Sequence, residues 1–352
     1  MFYKIKMRPI DFKNIKHLLI RSTNWIGDAV MTTPAVRAIR KSFPNTHISL
    51  LAKPWVEPVF KNSEHIDQLL IYDDEGRHKG ISGKFRLARE LKKYHFDAAI
   101  LLQNAFEAAF ITFLAGIPLR IGYSRDARQM LLTHAIPCSN NIKNEHQSKY
   151  YLNILKGIEI KAENQVLYLK LDQNDRSRSE QILHENGISM DDTIVGINPG
   201  ATYGPAKQWP YDRFARLADR VQTFSESRVI IFGGPNDKDL GERISKRMMR
   251  PSVDLSGKTS LGEAMALIEK CALFITNDSG LMHVAAALNV PLVAIFGSTN
   301  PVTTGPLGIN SRVVQIPMEC SPCLKSECPK DHFNCMAQIG VDMVFDVVKE
   351  TL

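Results

Sequence analysis

Short apolar runs alternate with helix-spaced patterns along this chain, and the alternation occurs twice. In the first half HLLI, HISLLA, QLLIYD and DAAILLQ are continuous apolar runs too short for helices, as expected of strands buried on both faces. Between them, TPAVRAIRKSF and KFRLARELKKY carry apolar residues at three- and four-residue spacing, the period of a helix packed on one side. Strand, helix and strand in this order give βαβ units, a parallel sheet and helices on both of its faces.

After VLYLKL the chain turns polar and charged, DQNDRSRSEQILHENGISMDD, a stretch with room for one amphipathic helix and otherwise the character of a linker. The alternation then resumes, with TIVGINPG, RVIIFGG, LFITND and PLVAIFG as strands and YDRFARLADRVQTF, LGEAMALIEKCA and GLMHVAAALN as helices. The expected fold is therefore α/β, with two Rossmann-like doubly wound domains, residues 1–170 and 171–352, facing a central cleft. Open parallel sheets bind ligands beyond the carboxyl ends of their strands, so chemistry is expected where polar residues follow an apolar run.

Three junctions fit that description. In LLIRSTNWIGDAVMTTPA, Gly27 permits a tight turn and Asp28 stands at or just before a helix start. The helix dipole and backbone N–H groups would keep that carboxylate ionised. It is then either a cap or a general base for a hydroxyl. In VGINPGATYGPAKQWPYDRFA a strand ends at Asn198; Gly200 and Ala201 let backbone approach a phosphate, Thr202 offers a hydroxyl, and Lys207 precedes a helix opened by Pro210. In LFITNDSGLMHVAAALN, Thr276, Asn277 and Asp278 end a strand, and Ser279 and Gly280 open an apolar helix bearing His283. The N–H groups at such a helix mouth suit a pyrophosphate.

Other chemistries lack their signatures. Neither G-x-G-x-x-G after the first strand nor G-x-x-x-x-G-K-[ST] occurs. The DKD at 237–239 follows FGGPN and reads as a helix-start cluster, with ribose hydroxyls as an alternative partner, rather than a metal pair. Cys320, Cys323, Cys328 and Cys335 begin as Cys-x-x-Cys but do not repeat that pair, so a reduced, packed loop is favoured over a structural metal. Net charge is +7, which favours anionic partners such as nucleotide phosphates, nucleic acid or an acidic membrane surface. The N-terminus MFYKIKMRPIDFKNIKHLLI is basic but interrupted, without the apolar core of a signal peptide, and no stretch is long and apolar enough to cross a bilayer. The default expectation is cytosolic residence.

The segments RSTNWIGDAVMTTPAVRAIRKSFP, NPGATYGPAKQWPYDRFA and TNDSGLMHVAAALNVPLVAIFGSTNP resemble, in order, the signature segments of the ADP-heptose lipopolysaccharide heptosyltransferases of glycosyltransferase family 9. The tail from CSPC through ECP to NCM is most similar to the heptosyltransferase II branch. The resemblance implies a GT-B fold, with the acceptor held mainly by the N-terminal domain, the nucleotide sugar by the C-terminal one, and the VDMVFDVVKE helix packing back towards the first domain.

It implies inverting transfer of L-glycero-D-manno-heptose from its ADP conjugate to the inner core of lipopolysaccharide, for the second branch onto heptosyl-Kdo2-lipid A. By position, Asp28 falls on the catalytic base, Thr202 and Lys207 on contacts to the donor diphosphate, and Asp278, Ser279 and Gly280 on the motif near the β-phosphate. His283, on the same helix, is grouped with the donor-binding set, and Lys207 also with the catalytic pair, because it would stabilise the departing diphosphate. Tyr203 departs from relatives that carry a second threonine there.

No cofactor or metal is required by this scheme. Its partners are a nucleotide sugar, an anionic lipid acceptor and the inner face of the inner membrane, with no role for nucleic acid. Competing readings are a relative with a different donor or acceptor, including heptosyltransferase I, a nucleotide-sugar epimerase, and a non-catalytic nucleotide-binding module.

Overall fold

The computed structural model describes Ile10 and residues 12–162 and 164–352, with only the backbone of Lys13. The first nine residues of the basic N-terminal stretch, and its Asp11, lie outside the described residues. The chain divides between Gln165 and Val166 into two compact units. That boundary is five residues earlier than the expected 170/171, so VLYLKL belongs to the second unit, where it forms no strand.

The first unit contains β1 (His17–Arg21), β2 (His47–Ala52), β3 (Gln68–Ile71), β4 (Ala98–Leu101), β5 (Leu119–Tyr123) and β6 (His134–Ile136), all parallel, in spatial order β3-β2-β1-β4-β5-β6. The second contains β7 (Ile194–Asn198), β8 (Arg228–Ile231), β9 (Ser252–Asp254), β10 (Leu273–Asn277), β11 (Leu292–Ile295) and β12 (Ser311–Val314), all parallel, in order β9-β8-β7-β10-β11-β12. Each sheet therefore has the Rossmann order, with its topological switch between its first and fourth strands. Every apolar run read as a strand is one. The short strands β5, β6, β9 and β12 escaped the sequence reading: LRIGY, HAI, SVD and SRVV are brief or polar, and β9 and β12, at sheet edges, leave residues partly exposed.

Helix Ile26–Ser42 takes in the TPAVRAIRKSF pattern and begins two residues before Asp28, which the sequence placed at or just before a helix start. Pro34 lies in the helix interior. Its missing N–H would have bonded the Val30 carbonyl, and the Thr33 hydroxyl donates to that oxygen instead, at 2.7 Å. Gly27 is consequently the second residue of the helix, and the turn assigned to it is made by residues 22–25.

In the second unit Trp209 is 1% exposed and meets Phe214 edge-on at 5.1 Å, while its indole N–H donates to the Ile339 carbonyl at 2.9 Å. This bond anchors the chain just before the C-terminal helix Val341–Thr351. That helix buries Val344, Phe345 and Val348 in the second unit's core and packs on helix Tyr211–Ser225 and strands β11 and β12.

On the opposite face of the same sheet the packing is equally tight at Gly196 in β7, where a Cβ would stand 2.6 Å from Phe274 Cδ2 and 3.0 Å from Phe232 Cε2. Gly196→Ala is expected to destabilise the protein by about 1–3 kcal/mol through overpacking. Urea denaturation of both forms checks this; an unchanged midpoint would show that the two rings move aside at no cost.

Candidate functional site

The polar strand ends of the second unit form one connected network. The Asn198 side-chain amide, at the end of β7, donates to Thr276 Oγ1 at 3.1 Å and Ser279 Oγ at 2.8 Å, joining β7 to the β10 end. Asn277 reaches the other way: its amide donates to the Pro199 carbonyl at 2.6 Å and its Oδ1 accepts Trp209 N–H at 3.1 Å. Both ends of the loop between β7 and helix Tyr211–Ser225 are thus stapled to β10. An asparagine with two donors and an acceptor can do this from one buried position.

Asp278 Oδ2 accepts both Lys207 Nζ at 2.6 Å and Thr299 Oγ1 at 2.7 Å. The Asp278 side chain is 5% exposed and that of Lys207 13%. The ammonium is thereby fixed beside the start of helix Gly280–Ala287, capped by Ser279, whose hydroxyl accepts Met282 N–H at 3.3 Å. A point positive charge and a helix N-terminus together form a receiver for an anion.

Thr202 is exposed on the intervening turn, as is Tyr203, whose ring lies 4.8 Å from Lys207 Nζ. Lys207, Thr202, Asp278, Ser279 and Gly280 therefore lie on two loops that the network joins. His283 is on the same helix but only 3% exposed. Asp237 sits under this edge: it accepts Gly234 N–H at 2.8 Å and occupies the space a Cβ on Gly200 would need. Burial pushes its carboxyl above the usual range.

The cysteine segment braces the same loop, a role its sequence did not announce. The Ser326 carbonyl accepts Ala206 N–H at 3.0 Å and the Leu324 carbonyl accepts the Tyr203 hydroxyl at 2.9 Å. Gly204, at φ 146°, leaves no room for a Cβ beside Ser326. Cys320, Cys323, Cys328 and Cys335 are free thiols around a cavity of about 50 Å³ that Ala206 also lines. Among the described residues, no three histidine, cysteine or acidic side chains are arranged to hold a metal.

Asp28 belongs to the first unit, as the third residue of helix Ile26–Ser42, half-buried at the strand-end edge beyond β1. Its Oδ1 accepts the Tyr151 hydroxyl at 3.0 Å. Tyr151 comes from helix Gln147–Lys156, which packs along the Asp28 helix and is ordered by a tyrosine cluster: Tyr150 lies 5.5 Å from Tyr151 and 4.6 Å from Tyr123, and the Tyr123 hydroxyl donates to the Tyr150 carbonyl at 2.7 Å. Burial, then the Asp28 charge, raises Tyr151 well above an ordinary phenol, so it remains a proton-bearing donor.

Sequence reading missed Tyr151, because its contact spans 123 residues and a tyrosine in a helical pattern looks like core. It also missed the charges at neighbouring strand ends. Arg21 and Lys53 are each 2% exposed, Lys53 Nζ lies 3.7 Å from the Tyr72 ring, and the Tyr72 hydroxyl donates to Glu107 at 2.8 Å. Burial lowers Arg21 to about 10, which leaves it cationic at neutral pH.

The chain matches the family model for glycosyltransferase family 9 (heptosyltransferase) over residues 84–334. It is 29% identical to lipooligosaccharide heptosyltransferase 2 of Haemophilus influenzae, covering 96% of this chain and 99% of that one. It is 31% identical to lipopolysaccharide heptosyltransferase 2 of Escherichia coli, covering 85% and 88%. Among solved structures, a family 9 glycosyl transferase from Veillonella parvula superposes with a TM-score of 0.88 at 26% identity, covering 98% of each chain. The E. coli ADP-heptose LPS heptosyltransferase II superposes with a TM-score of 0.80 at 25% identity, covering 95% and 98%. The α/β architecture is thus that of the GT-B heptosyltransferases, and the chain belongs to glycosyltransferase family 9.

Proposed function

We propose that this transferase moves L-glycero-D-manno-heptose from ADP-heptose onto the heptosyl-Kdo2-lipid A inner core of lipopolysaccharide, inverting the anomeric centre, with Asp28 as general base. The similarity to heptosyltransferases 2 over most of the chain supports the substrate class. The observation that carries the donor assignment is the Lys207 ammonium, held by Asp278 beside the Ser279-capped helix. A diphosphate placed there meets a cation and helix N–H groups, and Thr202 is exposed on the same loop as Lys207. As the glycosidic bond to the β-phosphate breaks, charge gathers on the leaving ADP, and these groups stabilise it.

On the acceptor side, Asp28 takes the proton of the attacking hydroxyl while its oxygen forms the new bond to the anomeric carbon. Tyr151 acts on Asp28 rather than on substrate: its hydrogen bond to Oδ1 orients the carboxylate. The polar layer of Arg21 and Lys53 supports an anionic acceptor on this unit. The basic net charge suits the same partner, and we place the enzyme at the cytoplasmic face of the inner membrane. His283 is buried in the same helix, so we assign it to holding that helix in place rather than to touching the donor.

Transfer is measured by mass spectrometry with ADP-L-glycero-D-manno-heptose and two acceptors, Kdo2-lipid A and its mono-heptosylated form. Gain of one heptose on the second alone is expected; gain on the first alone would assign the earlier addition. Asp28→Asn should lower turnover by about 10²–10⁴-fold while ADP affinity stays within a few-fold. Activity retained within a few-fold would refute the base assignment. Tyr151→Phe, which leaves the base in place, should slow turnover by about 5–10-fold, the worth of one hydrogen bond.

Gly204→Ala tests the loop brace. Displacing the loop from Ser326 should weaken ADP binding by about tenfold in calorimetry, and unchanged affinity would separate the cysteine segment from the donor site.

A further inference from the structure

Two neighbouring helices of the first unit, Gly80–Lys92 and Phe106–Leu114, turn large apolar side chains outward. Ile81 is 72% exposed, Phe85 48%, Phe106 46% and Phe113 48%. Phe110 joins Phe85 and Phe106, meeting the first edge-on at 6.2 Å and stacking with the second at 5.9 Å, while Ile81 and Phe113 lie one helical turn from Phe85 and Phe110. The core does not explain this arrangement: Gly80–Lys92 buries Gly83, Leu87, Ala88 and Leu91 on its other side, and Phe106–Leu114 buries Ala108, Ala109, Ile111 and Thr112.

The fully exposed charges of these two helices are basic. Past Phe85, the exposed side of the first helix carries Arg86, Arg89 and Lys92, and Lys93 follows. The only acids on the two helices are engaged: Glu90 pairs with Arg77 at 2.6 Å, and Glu107 pairs with Lys84 at 2.6 Å and accepts the Tyr72 hydroxyl. Residues 81 to 93 span about 18 Å along a helix axis, enough to carry aromatic and basic groups side by side. Exposed aromatics beside unopposed basic side chains are the composition of a surface that rests on an anionic bilayer, rings at the headgroup boundary and cations among the phosphates. Among the described residues no helix is long and apolar enough to cross a membrane, so contact through these helices would be peripheral.

We propose that this face, Ile81, Phe85, Phe106 and Phe113 with Arg86, Arg89, Lys92 and Lys93, docks the enzyme on an anionic phospholipid surface. The proposal deepens the reading of a lipid-linked acceptor and rests on it for its biological purpose; its test uses neither donor nor acceptor, so the two can fail separately.

The full chain is sedimented with vesicles of phosphatidylcholine alone or mixed with phosphatidylglycerol. The wild type should pellet with the mixed vesicles, be released by high salt, and stay in solution with phosphatidylcholine. Phe85→Ser/Phe106→Ser and Arg89→Glu/Lys92→Glu should each lower partitioning by about tenfold or more. The charge variant alters only exposed side chains, so it stands as an independent test should the aromatic variant fail to fold. Failure of the wild type to pellet with anionic vesicles, or wild-type partitioning of both variants, would overturn the proposal. So would a concentration-dependent dimer in analytical ultracentrifugation that the phenylalanine variant abolishes, which would make this face a contact between copies of the chain.

Discussion

A strand buried on both faces has nowhere to present polar chemistry except at its ends, and the central strands of both sheets are of this kind. Ile194–Asn198 and Leu273–Asn277 are buried throughout, so Asn198, Asn277 and the residues just beyond are the first polar groups the backbone can deliver to a common edge. Parallel pairing aligns the carboxyl ends of β7 and β10, and the 3-2-1-4-5-6 order parts the flanking crossovers there. The position of the polar network proposed to hold the donor follows from that constraint.

Buried polar groups at this edge require partners, and satisfying them also shapes the site. Asn277 bonds both ends of the loop from Pro199 to Trp209, and Asp278 is shared between Lys207 and Thr299. An unpaired lysine on a glycine- and proline-rich loop would sample many rotamers. Held by Asp278, its ammonium is fixed beside the Ser279-capped helix start, and under the proposed donor role less ordering is left to occur on binding. The cysteine segment supports the loop from its other side through main-chain bonds, which makes a long irregular segment part of the site's framework.

The first unit uses the same principle with different chemistry. Its β1 edge delivers Asp28 in the first turn of a helix, where the dipole favours a carboxylate, and a second helix supplies the Tyr151 hydroxyl. Helix packing thus orients a side chain whose place in the sequence is explained equally well by capping. Arg21 and Lys53 form a buried cationic layer on the neighbouring strand ends, compensated by Asp74, Glu107 and the Tyr72 ring.

Most of the architecture was legible in the sequence because burial on two faces leaves a continuous apolar run, and packing on one face leaves a helical period. HLLI, DAAILLQ, TIVGINPG and LFITND declared the central strands, and the residues after them declared the strand-end motifs. The edge strands of the second sheet were illegible, since SVD and SRVV need little hydrophobicity when one side of the ladder meets solvent. Pro34 lies inside helix Ile26–Ser42, although proline favours helix starts, and the Thr33 hydroxyl takes up the Val30 carbonyl that its missing N–H leaves. The sequence by itself determined two Rossmann-type units and which strand ends carry Asp28, Lys207 and Asp278, because periodicity and local turn chemistry are short-range properties. Tertiary structure alone decided that Tyr151 meets Asp28, that Asp278 holds Lys207, and that Ser326 braces the loop bearing Lys207, because each contact joins segments whose proximity depends on how helices pack and sheets order their strands.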